Sequence, residues 1–170
     1  MDFDYGIHIP GGNNRIESVR VYRTSVGIFV GRSSVVSQCQ VAFSGSGIGT
    51  DNGSMVLNNT IYSVDNLCIN TSGGREPVGG VTVIGNNCRL SGRYGIRVQG
   101  QGNRIEGNTI TQYGQIGINL EGKANYFAKN LLQDDGTPGA KPWEGEMDNT
   151  DGYSIDPALS NIILPNIILP

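Results

Sequence analysis

Few side chains in this sequence have the type and spacing for chemistry. The single histidine, His8, rules out a two-histidine metal site, and the three cysteines, Cys39, Cys68 and Cys88, contain no CxxC spacing. Three cysteines also cannot all pair within one chain. Glycosidic hydrolysis needs two carboxylates about 5–10 Å apart. Glu17 and Glu106 each end an Arg-Ile-Glu triplet, and Asp65 and Arg93 each sit beside a turn-forming stretch. The acidic pairs Asp134–Asp135 and Asp148/Asp151 offer loop oxygens to calcium but no fixed ligand spacing, so solvated loop charge is the plainer reading. Tyr22, Tyr62 and Arg89 suit a different task. Aromatic faces stack on sugar rings and a guanidinium grips a carboxylate, although such residues also simply decorate a sheet.

What positions these residues follows from composition and period. The chain has 170 residues, including 26 Gly, 17 Asn and only 3 Lys, with a net charge of −3. Turn formers with abundant Ile and Val, and few long helix formers, imply many short strands joined by tight turns. No basic stripe marks a nucleic-acid partner. No run approaches the ~18–20 apolar residues of a membrane span. The N-terminal MDFDYGIHIP lacks the basic-apolar-small order of a signal peptide.

The chain repeats. Gly6-Ile7, Gly27-Ile28, Gly47-Ile48, Gly95-Ile96 and Gly117-Ile118 open similar apolar runs, and NLCIN at 66–70 fills the missing slot with Cys68 in the isoleucine position. The intervals are then 21, 20, 20, 28 and 22 residues, with the longest unit carrying an insertion between Asn70 and Gly80. A second anchor follows each run, at Ile16, Val36, Val56, Val83, Ile105 and Phe127. A third lies five residues later, at Val21, Val41, Ile61, Cys88, Ile110 and Leu132. Three anchors per unit predict three short strands per coil, with coils stacked at ~4.8 Å around a shared core. Asn59, Asn86, Asn108 and Asn130 recur at one turn, after Val19 and Cys39 in the first units, and predict an internal asparagine ladder. Cys68 and Cys88 are expected as buried thiols in slots otherwise filled by isoleucine.

The pattern G-I-x-V…N-x-I-x-x-N-x-I, clearest in YGIRVQGQGNRIEGNTI, resembles the right-handed parallel β-helix repeats of the pectin-lyase-like superfamily. The expected fold is all-β, a single-stranded solenoid of about six coils over residues 1–132. Residues 133–170 are expected as a capping loop and an apolar tail ending in SNIILPNIILP. The resemblance implies a polysaccharide partner and an extracellular or cell-surface setting. Three functions stay open: a polysaccharide-interacting module, a lyase or hydrolase of acidic glycans, and a structural spacer in an adhesin or spike. Strand alternation turns two rows outward. One is His8, Phe29, Gly49, Ile69, Arg97 and Asn119; the other is Tyr22, Ala42, Tyr62, Arg89, Thr111 and Gln133. Tyr22, Tyr62 and Arg89 are the candidate sugar contacts, with the tyrosines two coils apart. A lyase-like reading uses Arg93 as base, with Asp65 at a calcium or substrate site and Arg97 nearby; an inter-coil Asp65–Arg93 salt bridge is the plainer alternative. Glu17 and Glu106 fall four coils apart, roughly 19 Å, too far for a glycosidase pair. Phe29, Met55, Leu57, Leu67, Ile69 and Ile84 are expected outside, enough apolar surface to suggest a homo-oligomer to which the tail contributes.

Overall fold

The computed structural model describes residues 3–71, 79–122, 124–134, 136–145, 150–151 and 167–169. They form three parallel sheets of seven strands each, wound into a solenoid of about six turns, with no helix among the described residues. The first sheet stacks Phe3–Ile9, Thr24–Val30, Ser46–Thr50, Leu67–Thr71, Tyr94–Gln99, Ile116–Glu121 and Lys141–Gly145. The second stacks Arg15–Glu17, Val35–Ser37, Met55–Leu57, Thr82–Ile84, Arg104–Glu106, Tyr126–Ala128 and Thr150–Asp151. The third stacks Arg20–Tyr22, Gln40–Ser44, Thr60–Val64, Asn87–Ser91, Thr109–Tyr113, Leu131–Asp134 and Ile167–Leu169. Parallel pairing thus runs past Leu132, where the sequence register ends, and Trp143 stands over Ile118.

The core is built from columns, because equal side chains on successive coils pile on one another. The second anchors pair in unbroken order from Ile16 to Phe127. The third anchors do so from Val21 to Leu132. On the first sheet the column is Ile7, Ile28, Ile48, Ile69, Ile96 and Ile118, which corrects the sequence reading by one residue in the fourth coil. Ile69, not Cys68, takes the isoleucine slot; Cys68 stands opposite Gly47 and Gly95. A one-residue shift exchanges the two faces of a strand. Accordingly Ile69 is fully buried, and Asn70 stands outside between Gly49 and Arg97. Leu67 is buried too. Of the apolar residues expected outside, Met55 is exposed and Phe29, Leu57 and Ile84 are half-buried.

Each coil turns its corner between the second and third sheets through one left-handed residue, at Ser18, Gln38, Asn58, Gly85, Gly107 and Lys129, with φ between 54° and 67°. The ladder asparagine is the next residue, so its part is hydrogen bonding rather than left-handed backbone. Asn86 Nδ2 donates to Asn108 Oδ1 (3.0 Å) and to the Val56 carbonyl (2.8 Å), while its own Oδ1 accepts from the Asn59 backbone N–H (3.0 Å) and Nδ2 (3.0 Å). Asn108 repeats the pattern onto Asn130, and Asn59 Oδ1 accepts from the Cys39 backbone N–H. A second polar column, unforeseen from sequence, lines the corner between the first and second sheets. There Asn14, Ser34 and Ser54 are joined by N–H to hydroxyl bonds, and Val81, Asn103 and Asn125 by N–H to amide-oxygen bonds.

Candidate functional site

The outer face of the third sheet carries the row Tyr22, Ala42, Tyr62, Arg89, Thr111 and Gln133 in strand register. Alternation sends these side chains outward because the third anchor beside each points into the core. Tyr22 is exposed and its hydroxyl donates to Gln40 Oε1 (2.9 Å). Ala42 separates it from Tyr62. The Tyr62 ring meets Phe43 edge-on, with centroids 5.5 Å apart at 88°, and the Arg89 guanidinium lies 5.8 Å from its centroid. Arg89 Nε in turn donates to Gln112 Oε1 (2.7 Å). Tyr62 is therefore held from both sides, one contact aromatic and one cationic, with part of its ring open to solvent.

Phe43 and Gln112 were not singled out in the sequence. Both belong to a column of left-handed residues, Arg23, Phe43, Ser63, Leu90 and Gln112, with φ between 53° and 58°. A left-handed non-glycine residue costs roughly 1–2 kcal/mol. Its recurrence in successive coils makes it a property of the winding, not a mark of function. The local effect, in the first five coils, is a kink that turns the residue after the outward row toward the surface. This is why an aromatic ring at position 43 reaches one at 62.

Beyond Arg89 the face opens into a shallow trough of about 690 Å³ lined by Asn87, Arg89, Thr109, Thr111, Gln112, Gln133, Asp134 and Gly136. The lining is amides, hydroxyls, one guanidinium and one carboxylate, which suits hydrogen bonding to a hydroxyl-rich ligand. A second hollow of about 460 Å³, lined by Arg23, Thr24, Ser25, Phe43, Gly45 and Asp65, lies on the other side of Phe43.

The catalytic candidates do not gather at one point. Asp65 aligns with Gly92, whose added Cβ would lie 2.2 Å from the Asp65 carbonyl, whereas Arg93 aligns with Asn66. Arg93 turns to Gln115 Oε1 (3.3 Å) and the Tyr94 hydroxyl (3.1 Å), stacking 4.8 Å from the Tyr94 ring centre, rather than to Asp65. Arg97 makes a two-pronged ion pair with Glu121, at 2.8 and 2.6 Å, on the first sheet. That pairing raises Arg97 and holds the Glu121 carboxyl below its usual range. Glu106 is likewise held low, first by Lys129 and, against some desolvation, by Arg104. Glu17 and Glu106 share a column four coils apart.

Of the calcium candidates, Asp134 accepts from the Gly136 backbone N–H (2.8 Å). Asp135, Asp148 and the Asp151 side chain lie outside the described residues, as does the tail before Ile167. No cluster of three potential metal ligands forms among the described residues. A family model described as right handed beta helix region matches residues 5–145. No curated protein and no solved structure matches the chain.

Proposed function

Because the chain belongs to the right-handed β-helix family, we propose that it is a polysaccharide-interacting module whose contact surface is the outer face of the third sheet. The observation that carries this reading is the Tyr62 ring, braced by Phe43 and Arg89 at the rim of a trough lined by amides and hydroxyls. The part of this half-buried ring left to solvent offers an apolar contact for a pyranose, and the neighbouring polar groups match its hydroxyls. Arg89 adds a preference for a uronate or other acidic sugar, since a guanidinium binds a carboxylate through paired hydrogen bonds. A straight, shallow face along stacked coils fits an extended polymer better than a compact ligand. Such a partner places the protein outside the cell or on its surface.

The test is binding to a panel of acidic and neutral polysaccharides, run beside an assay for unsaturated or reducing-end products. The expected outcome is retention of an acidic glycan without turnover, lost in Tyr62→Ala and weakened in Arg89→Ala at unchanged circular dichroism. Turnover abolished by Arg93→Ala would transfer the reading to a lyase. Silence in both assays would leave a structural spacer.

A further inference from the structure

The fourth coil departs from its neighbours at two facing interior positions, and both departures are cysteine. In the coils on either side, the residue before the first-sheet isoleucine is Gly6, Gly27, Gly47, Gly95 or Gly117. This slot touches the third anchor of its own coil. A Cβ placed on Gly27 would lie 2.3 Å from Val41 Cγ1, on Gly47 2.7 Å from Ile61 Cγ2, and on Gly95 2.2 Å from Ile110 Cγ2. A branched anchor therefore demands glycine opposite it. In the fourth coil the glycine slot holds Cys68, because Ile69 pairs with Ile48 and Ile96, and the anchor is Cys88, paired with Ile61 and Ile110. Backbones that bring a Cβ this near to a γ position leave little room for two unbonded side chains, since carbon contacts normally begin at about 3.5 Å. A disulfide suits the spacing: with an S–S bond of about 2.05 Å, each Cβ lies only about 3 Å from the partner sulfur.

We propose that Cys68 and Cys88 are a disulfide-forming pair, linked while the chain folds, and that Cys39 stays a thiol. Cys39 sits at a different corner, where its Sγ–H faces the carbonyls of Ser37 (3.2 Å) and Ile16 (3.8 Å). The odd number of cysteines is thus resolved by position. In the structure all three are free and buried. Burial, with the neighbouring Cys68 thiol, pushes the Cys88 thiol well up, which suppresses the thiolate that exchange requires. The bond therefore forms before the coil closes. One thiolate attacks the disulfide of an oxidant such as oxidised glutathione, forming a mixed disulfide and releasing one thiol. The second thiolate displaces the other thiol, so the pair loses two electrons and two protons and the oxidant is reduced to two thiols. The link would close the stretch from 68 to 88, which contains the insertion that lengthens this coil, and would restrict the unfolded chain where the repeat is least regular.

The test is to refold the full, reduced chain with oxidised and reduced glutathione, alkylate under denaturing conditions, and digest with chymotrypsin, which separates Cys39 from Cys68 at Phe43 and Tyr62. The expected map is a linked Cys68–Cys88 peptide with Cys39 alkylated, and a melting midpoint several degrees above that of protein refolded in reductant. Natively folded protein with Cys68 and Cys88 both alkylated, or with either linked to Cys39, overturns the proposal. The double variant Cys68→Gly/Cys88→Ile, which restores the pairing of the neighbouring coils, is expected to melt identically in both buffers. A redox-dependent midpoint that persists in it would assign the effect elsewhere and also overturn the proposal. Neither result depends on glycan binding.

Discussion

The corner between the second and third sheets and the outer face of the third sheet are adjacent stretches of the same coils, yet they use polar side chains in opposite ways. At the corner, Asn59, Asn86, Asn108 and Asn130 are buried, and each hydrogen-bonds to the coil above or below and to a backbone carbonyl. On the face, Tyr22, Arg89 and Gln133 are exposed, and the partners of the first two, Gln40 and Gln112, are single side chains of the next coil. Inside, water cannot replace a lost partner, so every amide is held to one position by its neighbours. Outside, water competes for each bond and little stability rests on any one. The corner therefore holds the winding together, while the face is free to vary toward a ligand.

The sharpest way to break this contrast is Asn86→Leu. It removes both donors and the acceptor of one rung and leaves the buried Asn59 N–H without its partner, so a loss of about 3–5 kcal/mol is expected in urea unfolding. A loss under about 1 kcal/mol would mean the ladder is ornamental. Next comes Ile69→Ala, expected to cost about 2–4 kcal/mol because Ile69 is fully buried between Ile48 and Ile96. Had the alternation run the other way in this coil, the same variant would be close to neutral, so the measurement tests the register directly.

On the face, Tyr62→Ala is expected to cost about 1 kcal/mol or less, from the lost edge contact with Phe43 and the Arg89 stacking. Its main effect should appear in glycan retention. A stability loss rivalling Asn86→Leu would make Tyr62 a structural residue. The smallest effect is electrostatic. Glu106 and Glu121 have carboxyls held below their usual range, so their ion pairs contribute stability above the ordinary carboxylate pKa and lose it as pH falls through the lowered values. Both sites are partly solvated, which limits each to well under about 1 kcal/mol. Melting midpoints below neutral pH should fall less steeply in Glu106→Gln and Glu121→Gln than in the parent, and added salt should narrow the difference.

How much of this was legible in the sequence depended on whether a residue type is unique to its slot. The asparagine ladder was legible because asparagine recurs four times at a fixed distance beyond the second anchor, after Val56, Val83, Ile105 and Phe127. The fourth coil was misread because in Leu67-Cys68-Ile69 all three residues are apolar, and without glycine to mark the slot two registers fit equally well. The second polar column was not legible because its residue type changes along it, from Asn14 to Ser34 and Ser54, then Val81, then Asn103 and Asn125. Phe43 as a partner of Tyr62 could not be read either, since strict alternation points it away from the row and only the left-handed kink brings it back.

By itself, then, the sequence determined the stacking. A coil that cannot bury its own apolar side must rest on another, and the spacing of its anchors sets which residues share a column. Only the tertiary structure decided which strand face Ile69 occupies, which two cysteines meet across the interior, and that Arg97 and Arg93 turn to Glu121 and Gln115 instead of to Asp65. These outcomes turn on differences of a single residue or a single rotamer. Hydrogen-bond register and close packing between coils settle them, and neither is present in a chain that has not yet wound.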